Sequence, residues 1–256
     1  MTIRRDFTNI LLTGASGELG SALALHHARP GTSLTLWGRD LSKLRSITSK
    51  VDERGADARS FSHDLMDIEG AVEAVIEQDR RATFDLAYLA AGIGDTRGSG
   101  ELVEDPSTVH RTAQVNFTAP ASMAAALARR MAERGGGRIV LIGSAAGHHS
   151  LPFAAAYSGS KAGLAKFSDA LRVAVEPHGV IVTLAAPGFL DTAAARANSD
   201  KRPMELSVDE AARRIANAAE KGKRHYVTPW PFVLLKALDP MLPSGLRDRL
   251  LRSLES

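Results

Sequence analysis

The 256-residue chain has no cysteine, which removes disulfides, thiolate nucleophiles and thiolate metal sites together and leaves no mark of an oxidising compartment. No run approaches the roughly 18 to 20 consecutive apolar residues that a membrane-spanning helix requires. Arg4-Arg5 ahead of Phe7 faintly resembles an export signal, but the apolar stretch behind it is only Ile10-Leu11-Leu12, so no secretory segment is read and a cytoplasmic location is expected. Neither sign of charge is in excess: 32 Lys and Arg stand against 29 Asp and Glu, too small a surplus to argue for nucleic acid. Histidine is less scarce, at eight, yet His26-His27 and His148-His149 are adjacent pairs, and neighbours on a helix do not converge on one ion, so no metal is expected. With 44% apolar residues a substantial core can form, and length alone admits one large α/β domain or two small ones.

What the chain does contain is an alternation of short apolar runs with longer amphipathic stretches. Asn9 to Thr13, Ser33 to Trp37, Phe84 to Leu89, Arg138 to Ile142 and Val180 to Ala185 have the length and apolarity of strands buried on both faces. Between them lie helical patterns at Leu19 to Ala28, Leu41 to Glu53, Ile68 to Gln78, Thr108 to Glu133, Ala155 to Val175 and Val208 to Lys221, the last with Ser207 or Asp209 near its start. Asp57 to Phe61 and Arg224 to Thr228 add two strands, giving about seven. This order predicts an α/β fold of Rossmann type, a doubly wound parallel sheet with helices on both faces. No linker, repeat or low-complexity tract divides the chain, so residues 1–256 are read as one nucleotide-binding domain, with 225–256 as an apolar and basic extension.

Two segments carry chemistry. Directly after the first strand, Thr13-Gly14-Ala15-Ser16-Gly17-Glu18-Leu19-Gly20 opens into a helix. Glycines there permit a tight turn and close backbone approach to a diphosphate held against the amides of a helix N-terminus. The bland alternative is a plain strand-to-helix turn. Further on, Tyr157-Ser158-Gly159-Ser160-Lys161 sets a phenol and an ammonium four residues apart, on one helix face. A carbonyl that accepts hydride must also gain a proton, and a free phenol has a pKa of about 10; a neighbouring cation would stabilise the phenolate and let Tyr157 act as acid or base. Of the three tyrosines, only Tyr157 has lysine at i+4.

These segments resemble the short-chain dehydrogenase/reductase family. The loop is similar to its T-G-x-x-x-G-x-G turn, with Glu18 where the middle glycine belongs and Gly17 one place early; the spacing G-x-x-G-x-x-G also resembles the extended branch, whose large C-terminal substrate domain has no room here. Ser144 ends Ile139-Val140-Leu141-Ile142-Gly143-Ser144 at the family's interval before Tyr157, Asn116 lies in Gln114-Val115-Asn116-Phe117, and Pro187-Gly188-Phe189-Leu190-Asp191-Thr192 resembles P-G-x-x-x-T. The likeness runs from about Ile10 to Thr192 and implies a catalytic set of Asn116, Ser144, Tyr157 and Lys161. In it Ser144 holds the substrate oxygen, Asn116 supports a proton relay through water, and Lys161 also binds the nicotinamide ribose. Taken alone, Asn116 reads equally well as a helix-kink amide.

The same resemblance implies cofactor contacts from Gly14, Ser16, Gly17, Glu18, Leu19 and Gly20, from Asp64 and Leu65 after the third strand, and from Ala91 and Gly92 after the fourth. It adds Tyr157, Lys161, Pro187 and Gly188, with Thr192 at the carboxamide. Leu89 and Ala90 replace the family's two asparagines, and Asp64 is alternatively a surface turn. Cofactor type is set after the second strand, in Trp37-Gly38-Arg39-Asp40: Gly38 takes the usual acidic position and Arg39 can meet a 2′-phosphate, whereas Asp40 is either a ribose ligand or a helix N-cap. NADP(H) is therefore expected, with NAD(H) as the alternative.

The expected function is hydride transfer between a nicotinamide and a carbonyl or secondary alcohol, in the sense of a ketone or aldehyde reductase. The alternatives are an NAD-dependent alcohol dehydrogenase and a cofactor-binding regulatory or membrane-associated scaffold without turnover. The partners expected are a small carbonyl or alcohol substrate and further copies of the chain, as homodimer or homotetramer. Gly94 to Asp105 and Phe189 to Pro203 read as substrate-facing loops, with Ala193-Ala194-Ala195 as a helical lid; Phe153, Phe189 and Leu190 form either an apolar wall or core, and His148 and His149 line either the entrance or a solvated loop. Trp230, Phe232 to Leu235, Leu238, Met241 and Leu242, then the basic helix Leu246 to Leu254, suggest packing on the protein's own core or another subunit, or contact with a membrane surface through Lys236, Arg247, Arg249 and Arg252.

Overall fold

In the computed structural model, which describes residues 7–94, 96–98, 100–196, 204–229 and 244–252, the apolar runs are strands whose side chains alternate between two cores. Ile10 and Leu12 of β1 (Asn9–Thr13) enter one core while Leu11 enters the other. Leu34 and Leu36 against Trp37 in β2 (Ser33–Gly38) repeat that split, as do Leu86 and Tyr88 against Ala87 and Leu89 in β4 (Leu86–Leu89). A period of two with both faces apolar is what a parallel sheet covered on both sides demands. The first core is closed by α1 (Glu18–His27), α2 (Leu41–Asp52) and α8 (Val208–Glu220) through Leu23, Leu44, Ile47 and Ile215. The second is closed by α3 (Ile68–Arg81), α5 (Ala119–Glu133) and α6 (Ala155–Val175) through Val75, Met123, Leu127 and Leu164.

With β3 (Asp57–Ser62), β5 (Gly137–Ile142), β6 (Val180–Pro187) and β9 (His225–Thr228), the sheet has seven parallel strands in the order β3-β2-β1-β4-β5-β6-β9, the doubly wound arrangement expected. The chain winds outward from β1 to β3 and then returns to place β4 on the other side of β1. That reversal opens a crevice above the carboxyl ends of β1 and β4, where ligands bind in such folds.

The structure departs from the sequence-based expectation in two places. The helix expected over Thr108 to Glu133 is α4 (Pro106–Ala113), a π-helical turn (Gln114–Thr118) and α5 in succession. Pro120 has no N–H to give to the Asn116 carbonyl four residues back, and the backbone widens there by a local turn. The small sheet of β7 (Leu190–Asp191) and β8 (Leu206–Ser207) was not foreseen; it precedes and follows the short α7 (Ala193–Arg196), within the segment read as a helical lid. The apolar tail from Trp230 to Leu242, with Lys236, lies outside the described residues, as do Arg4, Arg5 and 197–203; α9 (Ser244–Arg252) overlaps the expected basic helix. Among the described residues no helix is long and apolar enough to cross a membrane.

Candidate active site

β1 delivers the chain to the glycine loop at the switch point. Gly14 has φ +73°, and a Cβ there would stand 2.8 Å from the backbone of Ala91, so the end of β4 lies directly on the loop. Gly20 in α1 packs against the Gly14 carbonyl just as closely, leaving no place for a side chain. Thr13 fastens the same corner, its Oγ1 accepting the N–H groups of Ala90 at 3.1 Å and Ala91 at 3.2 Å. This hydroxyl links two strand ends where Leu89 and Ala90 offer no side-chain amide. Sequence reasoning passed over it, although a threonine at the last position of β1 was the available signal. The N-cap of α1 is Gly17, which has no side chain to cap the first-turn amides.

A groove of about 500 Å³ runs along this corner. Of the residues expected at the cofactor, Gly14, Ser16, Gly17, Glu18, Leu19, Gly20, Arg39, Asp64, Leu65, Ala91 and Gly92 all line it. At its outer end Asp40 caps α2: its Oδ1 accepts the Lys43 N–H at 3.0 Å, and Oδ2 lies 3.9 Å from the Lys43 ammonium. Arg39 forms no side-chain ion pair among the described residues. A Cβ on Gly38 would meet Ser16 Oγ at 2.5 Å, so the usual acidic residue could not be accommodated there without displacing Ser16. Lys43 and His63 also line the groove and were not anticipated. The His63 ring stacks on Trp37 at 4.1 Å, Trp37 Nε1 donates to Gln78 Oε1 at 2.8 Å, and burial pulls the His63 pKa down, which favours a neutral ring. Asp64 lines the groove and also holds its own turn, accepting the Met66 N–H at 3.1 Å.

At the inner end stand the four residues of the expected catalytic set. Asn116 is fully buried in the π-helical turn, its amide accepting from Ile93 N–H and donating to Ile93 O, both at 2.8 Å. The kink and the functional position thus coincide at one residue. Ser144 ends the β5 crossing and caps a 3₁₀ turn (Ala145–His148) by accepting the Ala146 N–H. Its hydroxyl acts on the Tyr157 phenol, lowering the phenol's pKa. Lys161 is buried, donates to the Ile142 carbonyl at 2.9 Å, and lies 5.9 Å from the Tyr157 ring centre. A Cβ on Gly92 would stand 3.2 Å from Asn116 Oδ1 and 3.4 Å from Lys161 Nζ, which ties this cluster to the groove.

The electrostatics differ from the sequence-based argument in one respect. Burial raises the Tyr157 pKa, and the Ser144 hydroxyl opposes that rise without cancelling it; Lys161 does not bring the phenol below its ordinary value. Burial also brings the Lys161 ammonium down to about 8. A half-buried Tyr beside a buried Lys pays desolvation at both groups, which spacing along a helix does not reveal.

The remaining expected residues, Pro187, Gly188 and Thr192, are not among those that line the groove. Gly188 N–H donates to Thr228 O at 2.7 Å, which fixes the chain after Pro187, and Thr192 N–H donates to Leu190 O at 2.9 Å. The chain just after Thr192 meets the glycine loop where Glu18 Oε1 accepts the Ala193 N–H at 2.7 Å. Phe189 is 41% exposed, so core packing does not account for it, whereas Phe153 and Leu190 are half-buried. His148 and His149 are half-buried in and after the 3₁₀ turn. No group of three or more His, Cys, Asp or Glu able to hold a metal occurs among the described residues.

A cradle that Cβ atoms would fill at Gly14 and Gly20, a helix N-terminus without a side-chain cap and cations at one end fit an anionic dinucleotide. Comparison with known proteins points the same way. The profile of the short chain dehydrogenase family matches residues 8–203. A protein of Myxococcus xanthus named an uncharacterized oxidoreductase is 30% identical over 250 residues, covering 97% of this chain and 98% of that one. A short-chain dehydrogenase from Sphingobium yanoikuyae, solved in complex with NADPH, superposes with a TM-score of 0.80 at 27% identity, over 96% of this chain and 95% of that one. The bulky-bulky ketone specific alcohol dehydrogenase from Comamonas testosteroni shares the fold, with a TM-score of 0.78 at 22% identity over 94% and 96% of the two chains. The chain belongs to the short-chain dehydrogenase/reductase family, oxidoreductases that work between CH–OH and C=O groups with NAD(P).

Proposed function

We propose that the protein is an NADP(H)-dependent carbonyl reductase acting on a ketone or aldehyde. The observation that carries this is buried Lys161 standing 5.9 Å from the Tyr157 ring, in contact through Gly92 with a groove that also presents Arg39. A bound nicotinamide supplies the hydride. Ser144 holds the carbonyl oxygen, and Tyr157 delivers its proton to that oxygen as the carbon is reduced. The raised phenol pKa keeps Tyr157 protonated at neutral pH, the form that reduction requires. After the transfer, the phenolate is held by the Ser144 hydroxyl and the Lys161 ammonium, and Lys161 also donates to the nicotinamide ribose. Asn116 fixes the turn after β4 through Ile93 and supports water-borne return of the proton.

In the same reading, Gly14, Ser16, Gly17, Leu19 and Gly20 hold the diphosphate, Asp64 and Leu65 the adenine, Ala91 and Gly92 the adjoining ribose, and Pro187, Gly188 and Thr192 the carboxamide. Arg39, with Lys43 near it, takes the 2′-phosphate, which favours NADP(H) over NAD(H). The NADPH in the Sphingobium relative, a protein 27% identical, supports that choice. A single nucleotide-binding domain, a homodimer or homotetramer and a cytoplasmic location belong to the same proposal.

The test is consumption of NADPH, and then NADH, across aliphatic, aromatic and cyclic ketones and aldehydes, with Tyr157→Phe alongside. Turnover with NADPH that drops by roughly 10²- to 10⁴-fold in Tyr157→Phe is expected. Nucleotide binding without turnover in either direction would overturn the reductase and leave a cofactor-binding scaffold.

A further inference from the structure

Glu18 stands where the loop needs no side chain, and its carboxylate reaches across 175 residues of sequence to the segment after β7. Its partner is the backbone N–H of Ala193, the first residue of α7, at 2.7 Å. That segment is pinned at its near end by three other contacts: Gly188 N–H on Thr228 O, the β7–β8 pairing, and Leu206 N–H on Phe189 O at 3.0 Å. Arg196 closes the short helix back onto Asp191 at 2.6 Å. The Glu18 bond therefore ties the far end of a segment that is already organised. Glu18 also lines the groove as the first residue of α1, beside amides that Gly17 does not cap. A diphosphate drawn to those amides would bring its negative charge against the carboxylate.

We propose that Glu18 is a latch that competes with the cofactor diphosphate: it holds the 190–196 segment on the glycine loop in the nucleotide-free protein, and nucleotide entry breaks the Glu18–Ala193 bond. This rests on the groove being the cofactor site. The latch lowers cofactor affinity by two separable effects, the bond that must break and the like charge that must be approached. Replacing Glu18 by Gln keeps an accepting oxygen and removes the charge, whereas Ala removes both.

Two measurements test it. In the nucleotide-free protein, amide hydrogen exchange at Ala193 is slow in the wild type and in Glu18→Gln and speeds up by roughly tenfold or more in Glu18→Ala. Unchanged exchange in Glu18→Ala overturns the latch. In fluorescence titrations, NADPH binds roughly fivefold or more tightly to both variants than to the wild type, while 2′-AMP, which has no diphosphate, binds all three alike. NADPH affinity that is unchanged or weaker in both variants overturns the competition. A wild type that binds neither NADPH nor 2′-AMP would instead overturn the cofactor reading, and the exchange measurement would still decide whether Glu18 fastens the segment.

Discussion

At Arg39 the choice of cofactor comes down to one guanidinium next to a carboxylate that is already engaged as a helix cap. Charge-assisted hydrogen bonds to a phosphate contribute about 1.5–3 kcal/mol, so Arg39→Asp is expected to weaken NADPH binding roughly 10- to 100-fold and to leave NADH nearly unaffected. Equal losses for the two nucleotides, read by fluorescence titration, would move the 2′-phosphate elsewhere. The Tyr157–Lys161 pair makes a second claim at this scale. Because burial holds the Lys161 ammonium near a pKa of about 8, its charge is present below that pH and lost as pH rises through it. Tyr157, shifted upward, keeps its proton over the same range. The pH profile of kcat/KM for reduction is therefore expected to fall above about 8, and Lys161→Arg, whose charge persists, should remove that limb even if its overall rate is lower. A limb at the same pH in Lys161→Arg would assign it to another group. The pairing itself was legible from the i, i+4 spacing; the direction of the phenol shift was not, since it depends on how deeply the folded chain buries the helix face.

At the level of elements, the helix that carries Tyr157 and Lys161 has an irregular start. The N-cap of α6 is Ala154, which has no side-chain acceptor, and the vacant role is taken by Glu104 from the loop ahead of α4: 7% exposed, it accepts the Ala156 N–H at 2.9 and 3.3 Å with its two oxygens. Tyr157 is the next residue. Loss of a cap of this kind costs about 1–2 kcal/mol, so Glu104→Ala should lower stability in urea by that amount and speed amide exchange in the first turn of α6, while Glu104→Gln recovers part of both. No change in either quantity would make the contact incidental. Most elements were readable from periodicity and start signals, α6 with its bounds unchanged, because local patterning and tertiary burial agree there. They disagree at Pro120, where a continuous helical pattern hides the π-helical turn that points Asn116 at Ile93. The Glu104 cap, the Thr13 link and the Glu18–Ala193 bond join segments far apart in sequence, so no local pattern could announce them. Gly147 is similar: a Cβ there would stand 2.9 Å from the Lys161 carbonyl carbon, a closeness set by the docking of a turn on α6.

At the scale of the whole molecule, a buried polar pair at the first core, His27 of α1 with Tyr88 of β4 at 2.8 Å, gives the fold a pH sensitivity. Burial, with smaller contributions from His26 and Arg29, brings the His27 pKa down to about 3 from 6.5. Burial pushes the Tyr88 phenol upward, so both partners stay neutral in the folded state. The sign follows from proton uptake: below 6.5 the unfolded chain protonates this imidazole and the folded one does not, until the pH nears 3. Stability from this site is thus complete above 6.5 and is lost progressively as pH falls toward 3, at about 1.4 kcal/mol per pH unit within that window. Between pH 7.5 and 4.5 the wild type should lose about 2–3 kcal/mol more than His27→Gln, which cannot take up the proton. Other groups titrate in both proteins alike, so the difference between their urea midpoints across that range isolates the histidine. Parallel losses in the two proteins would show that the buried ring is not what makes the sheet acid-labile.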